Sequence, residues 1–227
     1  LEGWLNKSRD GKEQPGVATS WSANADNTVY TFNLREDAKW SNGDIVTAHD
    51  FVYAWQRAVD PALASPYSWY MEIPMIVNAS KIVGGEAEPS SLGVRAVDDF
   101  TFEVTLEGPV PFFVKMVTHT TMFPVHKATV EAHGDKWTQP ENIVSNGAYT
   151  LAEWKINERM ELTRNANYWN DEKTVINKVT HLPIEAASAS LARYRADELD
   201  FGYFPTEQIK QLCEEMGDEI YITPKLC

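Results

Sequence analysis

Cysteine is scarce in this chain: there are two in 227 residues, Cys213 and Cys227. Two thiols cannot staple a loop-rich fold, so stability has to come from a buried core, and a 43% apolar composition can supply one. Positive charge is also short. Twenty Lys and Arg stand against 33 Asp and Glu, a formal net charge of −13, and that field repels nucleic acid. Long hydrophobic runs are missing, and none approaches the roughly 18 apolar residues of a membrane span. The opening "LEGWLNKSRDG" has neither the basic start nor the apolar run of a secretory signal, which a mature exported protein would lack as well.

Catalytic signatures are lacking too. The sequence holds no G-x-S-x-G, H-E-x-x-H, P-loop or Rossmann glycine pattern. His49, His119, His126, His133 and His181 are scattered. His126 and His133 could share a helix face, but no C-x-x-C or close His pair supports them, so neither a metal nor a cofactor is expected. Cys213 falls on an apolar helix face and reads as an inert, buried thiol.

What is present is alternating pattern and aromatic mass. "TVYTFNLR" (28–35) places Tyr30, Phe32 and Leu34 on one face, a half-buried strand. "SNGD" (41–44) is a turn. Thr47 then caps a helix, with Asp50 three residues on as in a capping box, and Phe51, Trp55, Ala58 and Val59 form its apolar stripe up to Pro61. "FTFEVTL" (100–106) is a second strand. A helix is predicted over 127–133, strands over "KINERMELTR" (155–164) and "VINKVTHLPI" (175–184), and a helix over 187–196. The last helix starts at Thr206, carries Ile209, Leu212, Cys213 and Met216 on one face and stops at Gly217; a strand "EIYIT" (219–223) follows. The class is mixed α and β.

Eight Trp, nine Tyr and nine Phe are more than short strands need, and most of them fill the core. Two clusters lie off the periodic pattern. "SPYSWYM" (65–71) sets Tyr67, Trp69 and Tyr70 just past a proline break, and "FGYF" (201–204) sets Phe201, Tyr203 and Phe204 at a strand end. Rings at such edges offer a ligand large rigid area at low entropy cost.

"LREDAKWSNGDIVTAHDFVYAWQR" closely resembles the signature region of the periplasmic oligopeptide-binding proteins, the family 5 receptors of peptide ABC transporters. The likeness continues in order through "VDPALASPYSWY", "LGVRAVDDFTFEVTLEGPVPFF", "DKWTQPENIVSNGAYTL", "NYWNDEKTVINKVTHLPI", "RYRADELDF" and "YITPKLC". It is strongest to the oligopeptide and murein-peptide receptors. The resemblance implies a type II periplasmic-binding-protein fold: two α/β lobes joined by hinge strands, an additional domain beside the first lobe, and the ligand enclosed between lobes. Residues 3–126 would be the additional domain and 127–227 part of the first lobe, with Asn146 and Gly147 at the hinge.

By the same likeness the second lobe is absent, and the chain is expected to be a piece of a longer protein. Cys227 would form a disulfide with a cysteine in the missing lobe. Tyr67 would reach toward the bound peptide. "GYFPT" is shorter than in close relatives and Lys225 replaces an aromatic; both border the cleft, so ligand preference does not carry over. The implied function is capture of extended oligopeptides in the Gram-negative periplasm by a monomer that delivers them to a membrane ABC permease, with no catalysis. The rival readings are a peptide- or glycan-acting hydrolase, which would need paired carboxylates or a nucleophile–base pair, a receptor of the same fold for murein tripeptide, dipeptide or haem, and a fragment with no ligand of its own.

Overall fold

The computed structural model describes residues 1–8 and 11–222. A short ribbon opens the chain, β1 (Leu5–Lys7) antiparallel to β2 (Glu13–Pro15). Next come β3 (Ala18–Ala23), β4 (Val29–Leu34), α1 (Ala48–Val59), α2 (Ala79–Val83), β5 (Val94–Asp98) and β6 (Thr101–Thr105). These four strands form an antiparallel sheet in the order β3-β4-β6-β5. Alternation decides its buried face: Phe32 pairs with Phe102 and Tyr30 with Val104, and all four are buried. The Tyr30 hydroxyl is not wasted there, since it donates to Val110 O at 2.8 Å.

Helix α1 forms as predicted. Thr47 caps it, and the Thr47 N–H donates to Asp50 Oδ2 at 2.8 Å. Burial outweighs the cap's hydrogen bonds on Asp50 and raises its pKa above the usual carboxylate value. The Asn42–Gly43 turn just before it needs its glycine, because φ at Gly43 is +96°. Phe51 and Trp55 project from α1 onto the sheet. Trp4 stacks on Phe51 with ring centroids 3.5 Å apart and lies 4.6 Å from Phe102, while Trp55 meets Phe102 edge-on at 5.1 Å. Each such ring, fully buried, contributes on the order of 1.5–3 kcal/mol from area alone. Trp55 also donates its indole N–H to Met122 O at 2.9 Å.

The chain continues through α3 (Phe113–Met116), α4 (Lys127–His133), β7 (Tyr149–Lys155), β8 (Arg159–Arg164), β9 (Lys178–His181), α5 (Ala187–Arg195) and α6 (Ile209–Met216). Strands β7, β8 and β9 make a third sheet in that order. By its contacts the chain divides into two compact units: residues 1–154 with 161–179, and residues 155–160 with 180–227. The expected domain boundary at 126/127 falls inside the first unit.

Three predicted elements differ from the structure. The strand placed over 155–164 is two strands with a turn at 156–158, where Asn157 adopts φ +60° and reverses the chain. The strand placed over 175–184 is confined to Lys178–His181. "EIYIT" is no strand among its described residues: 217–219 form a 3-10 turn and 220–222 are irregular. An apolar alternation without a neighbouring strand to pair with leaves its backbone groups unsatisfied, so pattern alone does not make a strand there.

Candidate functional site

Asp60 ends α1 and accepts the Ala62 N–H at 2.9 Å, opening a 3-10 turn over Pro61–Leu63. The chain then reaches Ser65-Pro66 and a second 3-10 turn, Ser68–Met71. This brings the first aromatic cluster together as a shelf. Tyr67 and Trp69 are 49% and 51% exposed, with centroids 6.0 Å apart and planes within 27°. Tyr70 is half-buried and packs edge-on against Trp69 at 5.9 Å. His119, which the sequence did not single out, joins them. Its ring stacks on Tyr70 at 4.2 Å and lies 5.7 Å from Tyr67.

The polar ends of these rings are used differently. The Trp69 indole N–H donates to Pro66 O at 3.1 Å, and the Tyr70 hydroxyl donates to Met116 O at 3.2 Å. Burial raises the Tyr70 pKa. Among the described residues nothing takes up the Tyr67 hydroxyl, which leaves it open to a ligand. An open pocket of about 280 Å³ is lined by Tyr67 together with Arg57, Thr120, Thr121 and Trp137.

Asn146 and Gly147, the expected hinge residues, lie against the first residues of the chain. Asn146 is 2% exposed and grips Glu2 by both main-chain groups: Glu2 N–H donates to Asn146 Oδ1 and Asn146 Nδ2 donates to Glu2 O, each at 2.9 Å. Asn165 Nδ2 donates to Gly147 O at 2.9 Å. The need for glycine at 147 is space rather than backbone angle, since its φ is not in the left-handed region and a Cβ there would lie 3.3 Å from the Leu1 carbonyl carbon. The buried Glu2 carboxylate accepts from Asn6 Nδ2 and Tyr168 OH at 2.7 Å and from Trp169 Nε1 at 2.6 Å. Burial and that hydrogen bond push the Tyr168 pKa well above the ordinary phenol value. The Arg35 guanidinium caps the arrangement, 3.1 Å over the Trp169 ring. No local pattern could reveal this clasp, because its partners are up to 167 residues apart.

In the second unit, Phe201 and Tyr203 are 77% and 74% exposed and meet edge-on at 6.0 Å. Phe204 instead turns in and packs on Tyr194 at 5.3 Å. Lys225 and Cys227 lie outside the described residues. His126 is a structural cap: Nδ1 accepts from Thr129 N–H at 3.3 Å and Nε2 meets Asp44 Oδ2 at 3.0 Å. Among the described residues no His, Cys, Asp and Glu group is arranged to hold a metal, and no helix is long and apolar enough to cross a membrane.

Comparison with known proteins bears on what such a shelf is for. Residues 12–226 match the family described as bacterial extracellular solute-binding proteins, family 5. The chain is 50% identical, over its whole length, to the periplasmic oligopeptide-binding protein OppA of Salmonella typhimurium, and 44% identical to the periplasmic murein peptide-binding protein MppA of Escherichia coli. It spans 42% of the length of each. The crystal structure of Haemophilus influenzae OppA in complex with RPPGFSPFR superposes with a TM-score of 0.90 at 49% identity, covering 96% of this chain and 43% of that one.

Proposed function

The chain belongs to the bacterial extracellular solute-binding proteins of family 5, and from that premise we propose that it supplies one wall of a receptor that captures extended oligopeptides in the periplasm. The receptor acts as a monomer and hands its peptide unchanged to a membrane ABC permease. The observation that carries this reading is the shelf. Of its three sequence-predicted rings, only Tyr67 keeps an unspent hydroxyl beside a half-exposed aromatic face. A phenol in that state packs its ring on a peptide and offers its oxygen to a backbone group. Phe201 and Tyr203 add exposed rings of the same kind in the second unit, and Lys225 is the proposed cation near the ligand. Backbone hydrogen bonds would carry most of the affinity, with hydrated pockets accepting varied side chains.

The test uses the full-length receptor and a mixed peptide pool. Intact peptides recovered by mass spectrometry support a receptor, and cleaved products support the rival hydrolase. The lengths recovered, and whether murein tripeptide competes, decide between a general oligopeptide receptor and a murein-peptide receptor. Tyr67→Phe should weaken binding of a recovered peptide by about 0.5–1.5 kcal/mol, the net worth of one neutral hydrogen bond, with an unchanged melting temperature. Wild-type affinity in Tyr67→Phe, paired with a loss in Trp69→Ala or Tyr70→Phe, would move the contact to another ring.

A further inference from the structure

Resting on that peptide-binding reading, we propose that His119 is a positioning residue for Tyr67: its ring couples Tyr67 to an anchored part of the fold and so sets where the phenol points. Tyr67 has little else to orient it. Its backbone N–H donates to Ser65 Oγ at 3.3 Å, but its hydroxyl has no partner among the described residues. The Trp69 ring beside it donates to Pro66 O and packs on Tyr70, both within the same 65–71 segment. Those two contacts of Trp69 are internal to the segment.

His119 comes from a different segment, the turn after α3, and it is held from two directions. Its Nδ1 accepts the Thr121 N–H at 3.2 Å, so in the neutral ring the proton sits on Nε2. Its face stacks on Tyr70 with planes within 23°, and Tyr70 is itself pinned through its hydroxyl to Met116 O. Tyr67 leans on this fixed ring at 5.7 Å and 40°. The line of support therefore runs from the Met116 carbonyl through Tyr70 and His119 to Tyr67. The residues that follow His119, Thr120 and Thr121, line the same open pocket as Tyr67. Aromatic pairs of this geometry change an equilibrium by about two- to tenfold, enough to matter when a ring must be aimed before a ligand arrives.

The test is a coupling measurement in the full-length receptor. The probe is the tightest member of a synthetic tri- to nonapeptide library retained by the wild type, titrated by calorimetry. His119→Ala, His119→Asn (which keeps an acceptor for Thr121 but no ring) and His119→Phe (which keeps a ring but no acceptor) are each made with Tyr67 and with Tyr67→Ala. With Tyr67 present, the Ala and Asn variants should bind about three- to tenfold more weakly, and the Phe variant should stay within about twofold of wild type. In the Tyr67→Ala background, removing the His119 ring should cost less than about twofold, because the ring it serves is gone. Equal losses in both backgrounds, or a Phe variant as weak as the Asn variant, would overturn the positioning role. Should His119→Ala fail to fold, the contrast between Phe and Asn still decides. Normal binding by every His119 variant while Tyr67→Ala is weak sinks this inference alone. Normal binding by Tyr67→Ala, or no peptide retained by the wild type, removes the proposed site itself.

Discussion

The two compact units spend their aromatic residues in opposite ways. The first closes a core around Trp4, Phe32, Phe51, Trp55, Phe102 and Phe113, all fully buried. The second fully buries few side chains, chiefly Leu191, Leu212 and Ser190, and turns Phe201 and Tyr203 out to solvent. Composition is part of the difference, since all eight tryptophans fall in the first unit. The partner surface differs too. In the first unit a helix covers a sheet whose inward residues alternate, so the inward rings pack on one another. In the second, among the described residues, α5 and α6 cover no sheet lying wholly within the unit, and Phe201 and Tyr203 are left exposed.

The largest effect is expected at the centre of the first unit's core. Trp55→Ala removes a central ring and its bond to Met122 O, and should cost about 3–5 kcal/mol in denaturant unfolding. A loss under about 1 kcal/mol would mean that the core is not where the first unit's stability lies. Leu212→Ala in the second unit should cost about 2 kcal/mol. Hydrogen exchange should then quicken in α5 and α6 while the β4 and β6 amides stay protected. Uniform loss of protection would show that the units unfold as one. Gly147→Val tests the seam inside the first unit. Its side chain meets the Leu1 carbonyl, and about 1–3 kcal/mol should be lost without change in peptide selectivity. An altered peptide profile at an unchanged melting temperature would contradict this structural role.

The smallest effects come from two carboxylates of opposite behaviour in the first unit. Burial raises Asp50, so its contribution to stability is full below its unfolded value near 3.8 and fades as pH rises through the higher folded value. The Arg164 guanidinium, which donates to Asp171 Oδ2 at 2.9 Å, lowers Asp171. Its contribution is present above 3.8 and fades as pH falls through the lower folded value. Between pH 7 and 3, melting curves should show Asp171→Asn closing its gap to wild type and Asp50→Asn falling further behind. Parallel pH profiles for the three proteins would contradict both signs.

Much of the fold was legible in the sequence where the signal is local. Thr47, Asp50, Phe51 and Trp55 stand at fixed offsets along one helix, and Tyr30, Phe32 and Leu34 alternate along one strand, so a single segment carries the information. The turn at Asn157 was lost because "KINERMEL" alternates well enough to pass for one strand, and only a left-handed asparagine breaks it. The shelf was half legible: Pro66 and the three rings stand out in sequence, while His119 enters from 49 residues after Tyr70 and leaves no local mark. Glu2 was invisible for the same reason, as every donor to its carboxylate except Asn6 is distant.

That distance has a consequence for how the protein is assembled. Glu2 and Asn146 are 144 residues apart, and Trp169 is farther still. A chain emerging in order from a ribosome or an export channel can complete the β3-β4-β6-β5 sheet once residue 105 is out. The Glu2 carboxylate must then wait for Tyr168 and Trp169. Closing so long a loop costs little more than closing one half its length, because the entropic cost grows only with the logarithm of length. The clasp is thus cheap in equilibrium and late in time. It is the last long-range contact of the first unit's opening residues to form as the chain is made in order.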